Sequence, residues 1–319
     1  MKIFIEIPTW LGDAVMATPA IENIIKNYPN AQLIILGSFV STKLFLHHPN
    51  VVKIIIDDSK KAGFRYKNLF TLAKQVGKVD KAISFRKNFT TKFLLFFIDA
   101  KEKDIYQRYT TDQIHQVIRY NDFVNKTFGF ESSAHKLKIY GYEKKKNEKP
   151  LLGINPGATY GSAKRWYPEK FAQVIIHLSD KYDSVIFGGP DEVDMANDIE
   201  SILQKNGISN YKNIAGKTSV PELIENINNL DLFVTNDSGP MHVAAAFEIP
   251  SICIFGPTKF NETSGWQNEN SIIVKKEFDC MPCMKRVCPL QGEEYHQCMK
   301  AIEAQDIIKS LTNMNNNSF

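Results

Sequence analysis

Apolar, β-branched runs alternate with helix-length amphipathic stretches along most of the chain, and this rhythm restricts the fold more than any other feature. In the first half it predicts strands near residues 3–7, 32–36, 52–56 and 81–84, with helices near 13–27 and 69–76. A strand, a helix and another strand in succession favour a crossover connection, so the strands are expected to form a parallel sheet.

The same rhythm starts again after a charged stretch, EKKKNEKP, at residues 143–150, with apolar runs that begin at Leu151, Ser184, Asp231 and Ser251. A chain of 319 residues suits two domains of roughly 150 residues each. We therefore expect two Rossmann-like α/β domains, at residues 1–148 and 149–303, that face each other across a cleft. A helix over 304–311 and a polar tail to residue 319 complete the prediction.

No segment is predicted to cross a membrane. The densest apolar run, FLLFFI at residues 93–98, is far shorter than the ~20 residues that span a bilayer. The N-terminal MKIFIEIPTW carries acidic and proline residues within its apolar stretch, which indicates a first strand rather than a secretory signal. We expect a cytoplasmic protein.

Positive charge is concentrated between residues 59 and 92, where ten basic residues face a single acid, Asp80. Lys60, Lys61, Arg65 and Arg86 belong to this stretch. It is either a solvated basic face or a surface for an anionic partner, which could be a nucleic acid, an anionic lipid or a phosphorylated glycan. Aromatic residues interleave only sparsely with these charges, which argues against nucleic acid.

Ligands bind at the carboxyl ends of the strands in open α/β sheets, so the segments after each apolar run are the candidate sites. After the first strand, Gly12 is predicted to allow a tight turn, and Asp13 stands at the start of the first helix. Asp13 could be a helix N-cap or a functional acid. Neither half carries the G-x-G-x-x-G of a dinucleotide site.

The first strand of the second half leads into NPGATYGSAKRWYPEKFA, at residues 155–172. Its glycines allow a close approach to a ligand, Thr159 offers a hydroxyl, and Lys164 offers a fixed positive charge for a phosphate. Trp166 is expected to pack in the core. The later segment GGPDEVD supplies Glu192, which could accept hydrogen bonds from a ribose or simply lie well in a helix dipole.

The segment TNDSGPMHVAAAF, at residues 235–247, predicts a strand that ends at the N-terminus of a helix. Asp237 or Ser238 can cap, Gly239 frees the backbone and Pro240 suits an early helical position. Backbone amides there form an anion site that suits a diphosphate. His242 is either structural or a ligand contact. The sequence has no D-x-D pair, so the helix end and Lys164 are expected to replace a divalent metal.

These motifs, with LGDAVMATPAI and the ending PCMKRVCPLQ…HQCM, resemble glycosyltransferase family 9, the ADP-heptose:lipopolysaccharide heptosyltransferases. The resemblance runs from residue 1 to about residue 312. It implies a GT-B fold with the acceptor on the N-terminal domain, ADP-heptose on the C-terminal domain, and a last helix that packs back on the first domain.

The resemblance also implies roles for individual residues. It places the catalytic base on Asp13, the phosphate contacts on Thr159 and Lys164, and the ribose contact on Glu192, although Asp191 could take that role with a shift of one residue. The segment that holds diphosphate and heptose falls on Asp237, Ser238, Gly239, Pro240, Met241 and His242.

The basic stretch would face the phosphates and carboxylates of a Kdo-bearing lipid A acceptor at the cytoplasmic face of the inner membrane, with Lys60, Lys61, Arg65 and Arg86 as its candidate contacts. The reaction implied is an inverting transfer of heptose to the lipopolysaccharide core, with no cofactor and no metal. The alternatives are a transferase of the same fold with another nucleotide sugar, and a non-catalytic binder of anionic glycan or nucleic acid.

The cysteines leave one further alternative open. Cys280, Cys283, Cys288 and Cys298 have the spacing C-x2-C-x4-C-x9-C, which could form a tetrahedral zinc site. The spacing is less regular than that of paired C-x2-C knuckles, and the resemblance carries these cysteines without requiring a metal.

Overall fold

The computed structural model describes residues 1–60 and 63–316, and it divides into two compact units. The first unit spans Met1–Gly141 and the second begins at Tyr142. The charged stretch at residues 143–150 lies in the second unit, where Lys144 Nζ pairs with Asp231 at 2.9 Å. The assignment of the halves as acceptor and donor domains stays a prediction.

The first unit is built on a parallel sheet of strand order β3-β2-β1-β4-β5. The strands are β1 (Lys2–Glu6), β2 (Gln32–Gly37), β3 (Val51–Ile56), β4 (Val79–Ser84) and β5 (Ala100–Ile105). The central strands β1, β2 and β4 are almost wholly buried. Their near-continuous apolar runs are typical of strands that are covered on both faces.

Helices cover this sheet: α1 (Leu11–Met16), α2 (Thr18–Asn27), α3 (Arg65–Val76), α4 (Phe89–Phe97) and α5 (Gln116–Phe128). The helix predicted over residues 13–27 is in fact two helices. Thr18 Oγ1 donates to Val15 O at 2.7 Å, and Pro19, which has no N–H, lies in the first turn of the second helix. Gly12 lies inside α1, so the predicted tight turn at that residue is wrong.

The second unit is built on a parallel sheet of order β11-β10-β9-β6-β7-β8. The strands are β6 (Leu151–Asn155), β7 (Asp183–Ile186), β8 (Tyr211–Asn213), β9 (Leu232–Asn236), β10 (Ser251–Ile254) and β11 (Ser271–Val274). Strand β6 lies between β9 and β7, so the segments that follow these three strands meet at one edge of the sheet.

The helices of the second unit are α6 (Pro168–Leu178), α7 (Val193–Lys205), α8 (Val220–Asn228), α9 (Gly239–Ala246), α10 (Phe260–Thr263), α11 (Gln297–Lys300) and α12 (Ala304–Asn316). Helix α12 extends beyond its predicted end and contributes Ile307 and Leu311 to the core of this unit, beside α6 and β11. The packing of this helix on the first unit, implied by the resemblance, stays an expectation.

Candidate active site

Three predicted donor segments converge at the carboxyl edge of β9, β6 and β7. The loop after β6, which we call the donor loop (residues 156–164), carries Thr159 and Lys164. The loop after β7 carries Glu192, and the loop after β9 leads into α9. Because parallel strands end at the same edge, the sheet order alone places these segments side by side.

Lys164 and Asp237 form a buried ion pair at this edge. Lys164 Nζ lies 2.6 Å from Asp237 Oδ2, and Thr258 Oγ1 donates to the same oxygen at 2.6 Å. The ammonium also lies 4.6 Å from the centre of the Tyr160 ring. An ammonium has three N–H donors, so contacts with Asp237 and Tyr160 leave capacity for an anionic ligand.

Glu192 is the second feature of this edge. It is 6% exposed, and its Oε2 accepts a hydrogen bond from Gly189 N at 2.8 Å. A Cβ atom at Gly157 would lie 2.0 Å from the carboxylate, so any other residue there would displace the side chain of Glu192. Within the described part of the chain Oε1 has no hydrogen-bond partner, which suits a hydroxyl donor from a ligand. Asp191 is exposed, so Glu192 is the better placed of the two acids.

The N-terminus of α9 is the third feature. Ser238 is the N-cap residue, and its hydroxyl accepts from Asn155 Nδ2 at 2.9 Å. Pro240 has no N–H, and the amide of Met241 donates to Ser238 O at 3.2 Å. The amides near Gly239 are therefore the candidate hydrogen-bond donors to an anion. The Met241 side chain packs in the core with Cys253 and Phe255. His242 is buried.

In the first unit, Asp13 is the third residue of α1, after the N-cap Trp10. Asp13 is therefore not the N-cap, so that interpretation is wrong. The side chain of Asp13 is half-buried. The burial of Tyr120 and the nearby charge of Asp13 together raise the pKa of Tyr120 well above its ordinary value. The carboxylate thus lies near α5, at the carboxyl edge of β1.

A cavity of about 460 Å³ opens at the same edge of the first sheet. Three of the predicted acceptor contacts, Lys60, Arg65 and Arg86, line it, together with Trp10 and Phe89. The fourth, Lys61, lies outside the described residues.

The three cations of this cavity differ in their partners. Arg86 Nη1 lies 2.9 Å from the buried Glu6 Oε1 and 3.5 Å from Asp57 Oδ2. Much of its charge is thus balanced inside the protein. Arg65 donates to the Thr90 hydroxyl at 3.3 Å, and Lys60 is exposed, so these two are the better candidates for an external anion.

A family model for glycosyltransferase family 9 (heptosyltransferase) matches residues 52–293. The chain belongs to this family. It is 42% identical over 325 residues to the lipooligosaccharide heptosyltransferase 2 of Campylobacter jejuni, across 100% of this chain and 99% of that protein.

Two solved structures have the same fold as this family 9 protein. The ADP-heptose lipopolysaccharide heptosyltransferase II of Escherichia coli has a TM-score of 0.81 at 23% identity, covering 98% of each chain. A family 9 glycosyltransferase of Veillonella parvula has a TM-score of 0.82 at 22% identity, covering 99% of this chain and 97% of that one. The predicted GT-B fold is therefore confirmed.

One contact of this family 9 protein was not predicted from the sequence: its cysteine residues lie next to the donor loop. Cys280, Cys283, Cys288 and Cys298 line a cavity of about 40 Å³ that Ala163 of the donor loop also lines. Burial, with smaller contributions from the other three thiols, raises the pKa of Cys298 to about 11. Among residues 1–60 and 63–316, no three His, Cys, Asp or Glu side chains are arranged to hold a metal ion. Trp166 is buried, as expected.

Proposed function

We propose that this family 9 protein transfers L-glycero-D-manno-heptose from ADP-heptose to the heptose–Kdo–lipid A inner core of lipopolysaccharide or lipooligosaccharide. The observation that carries the proposal is the edge where Lys164, Glu192 and the start of α9 converge. Lys164 and the start of α9 suit the diphosphate of a nucleoside diphosphate sugar, and Glu192 suits its ribose. The match to the Campylobacter jejuni heptosyltransferase supports heptose as the sugar.

The donor would bind through complementary charges and hydrogen bonds. Lys164 and the Thr159 hydroxyl would contact the diphosphate, whose remaining charge would face the amides near Gly239. Oε1 of Glu192, which makes no hydrogen bond within the described residues and lies 4.0 Å from Arg165 Nη2, would accept a hydrogen bond from a ribose hydroxyl. These contacts would hold the ADP in the ground state and stabilise it as a leaving group.

The proposed chemistry is a single displacement. The carboxylate of Asp13 would take the proton of an acceptor hydroxyl while that oxygen attacks the anomeric carbon of heptose. The bond from this carbon to the diphosphate would break, and ADP would leave with the electron pair. One displacement inverts the anomeric configuration. Lys164 and the helix end would carry the diphosphate charge, so we propose that no metal cofactor is required.

Purified protein offered ADP-heptose, UDP-glucose and UDP-N-acetylglucosamine, each with a truncated core acceptor, would test the donor class. We expect the acceptor mass to rise by one heptose with ADP-heptose alone, at an initial rate that EDTA leaves unchanged. A hexose product would establish another nucleotide-sugar transferase, and no product with any donor would favour a binder. Activity lost in EDTA and restored by magnesium would contradict the metal-free mechanism.

For the acceptor, we propose that Lys60 and Arg65 contact phosphate or carboxylate groups of Kdo-bearing lipid A, with Arg86 in a supporting position. Lys61 is also proposed, on its charge alone. The cavity lined by Lys60 and Arg65 supports this proposal because it combines cations with the apolar rings of Trp10 and Phe89. Such a lining suits a charged sugar attached to a lipid.

We further propose that the protein works at the cytoplasmic face of the inner membrane, through a surface that we call the α3–α4 face. Phe64, Phe89 and Phe96 on this face are 69%, 68% and 74% exposed. Lys67 and Lys92 lie exposed on the same two helices. Exposed aromatic rings among lysines favour binding to an anionic bilayer surface. Within the described ranges no helix is long and apolar enough to cross a membrane.

The α3–α4 face predicts a measurable membrane affinity. The wild-type protein should sediment with vesicles that contain anionic phospholipid and much less with neutral vesicles, because each lysine near the surface contributes about 1 kcal/mol. Replacing Phe64, Phe89 and Phe96 together by serine should abolish sedimentation. Phe39→Ser removes a 54% exposed ring outside both helices and serves as the control. Equal sedimentation of the triple variant and the control would refute this surface.

A further inference from the structure

The cysteine segment (residues 280–298) lies directly against the donor loop. Arg286 O accepts a hydrogen bond from Ala163 N at 3.0 Å, and Met284 O accepts one from the Tyr160 hydroxyl at 2.8 Å. A Cβ atom at Gly161 would lie 2.2 Å from Arg286 O. The two backbones therefore pack without any side chain between them at this point, and the segment restricts the path of the loop.

His296 makes the most specific of these contacts. Its ring is buried, with Nε2 3.0 Å from Ala163 O and Nδ1 2.9 Å from the Tyr167 hydroxyl. A carbonyl oxygen can only accept, so Nε2 carries the hydrogen and Nδ1 accepts from Tyr167. Burial lowers the pKa of His296, which favours this neutral form.

The backbone of the cysteine segment is strained where it meets the loop. Met284 has φ 56° and His296 has φ 58°, both in the left-handed region that is uncommon for residues other than glycine. Such residues persist where the surrounding contacts hold them, and they concentrate at functional sites. Here both strained residues contact the donor loop itself.

We infer that His296 is a positioning residue for donor binding, which fixes Ala163 and thereby aims the adjacent Lys164 at the diphosphate. Ala163 and Lys164 are neighbours in one short 3-10 helix (Ser162–Lys164), so a shift of the Ala163 carbonyl moves the start of the Lys164 side chain. This inference rests on the proposed donor site. His296 itself need not contact the substrate.

The test uses two variants of the full chain. His296→Asn keeps a residue that tolerates positive φ but is too short to reach Ala163, while Tyr167→Phe keeps the ring packing and removes one hydroxyl. We expect His296→Asn to weaken ADP binding about tenfold and Tyr167→Phe about threefold, in line with lost buried hydrogen bonds. The KM for the acceptor should stay unchanged. His177→Asn, at an exposed position of α6, is the matched control.

A double variant separates positioning from general stability. If His296 acts through Lys164, adding His296→Asn to Lys164→Met should cost no further ADP affinity, whereas independent contributions would add. Additive losses, or a variant with a lower thermal midpoint but wild-type ADP affinity, would overturn the inference. Tyr167→Phe decides the question if His296→Asn fails to fold. A wild-type protein that does not bind ADP would instead refute the proposed donor site.

Discussion

Asp13→Asn should lower turnover by at least two orders of magnitude while ADP affinity stays at the wild-type value. A sugar hydroxyl has a very high pKa, so its attack is slow unless a base accepts the proton as the new bond forms. A positioned carboxylate typically contributes about 10²- to 10⁴-fold. Asparagine keeps the size of the side chain and removes the base, and the rate with ADP-heptose and acceptor measures the difference.

The position of Asp13 in α1 allows its structural and chemical roles to be separated. Because Trp10 is the N-cap, removing the charge at Asp13 does not remove a helix cap, and the lost interaction with the helix dipole is worth about 0.3–1 kcal/mol. The thermal midpoint of Asp13→Asn should therefore change little. Asp99→Asn, at an exposed position of the same unit, is the control and should keep full turnover. A near wild-type rate for Asp13→Asn would rule out the base.

Central strands were predictable because they carry an unmistakable signal. Strands β1, β2, β6 and β9 are buried on both faces, so their sequences are continuous apolar runs. The edge strands β5 and β8 lack this signal. Strand β5 has the sequence AKEKDI and is largely exposed, and β8 is only three residues long, so neither was predicted.

The candidate donor site was predictable in its parts but not in its internal contacts. Turn and cap residues mark the end of a strand, and a parallel sheet brings strand ends to one edge, so Thr159, Lys164 and Glu192 could be grouped from sequence. The 2.6 Å contact of Lys164 with Asp237 depends on the path of the donor loop. That path is set by the distant cysteine segment, whose contacts no local pattern reveals.

Lys164→Met should weaken ADP binding by roughly 10- to 100-fold, because a charge-assisted contact to phosphate is worth about 1.5–3 kcal/mol. Methionine retains much of the length and the apolar stem of lysine. The same change leaves the Asp237 carboxylate buried without its cation, which typically costs about 3–5 kcal/mol of folding stability. Calorimetric titration with ADP and thermal unfolding measure the two effects separately.

The double variant Lys164→Met/Asp237→Asn distinguishes the ligand contact from the fold. Asparagine removes the stranded charge and can still accept from Thr258, so we expect much of the lost stability to return. ADP affinity should stay low, because the cation that faces the phosphate is still missing. Lys205→Met, at an exposed lysine of α7, should bind ADP like the wild type. If the double variant regains both stability and ADP affinity, Lys164 supports the loop without contacting the diphosphate.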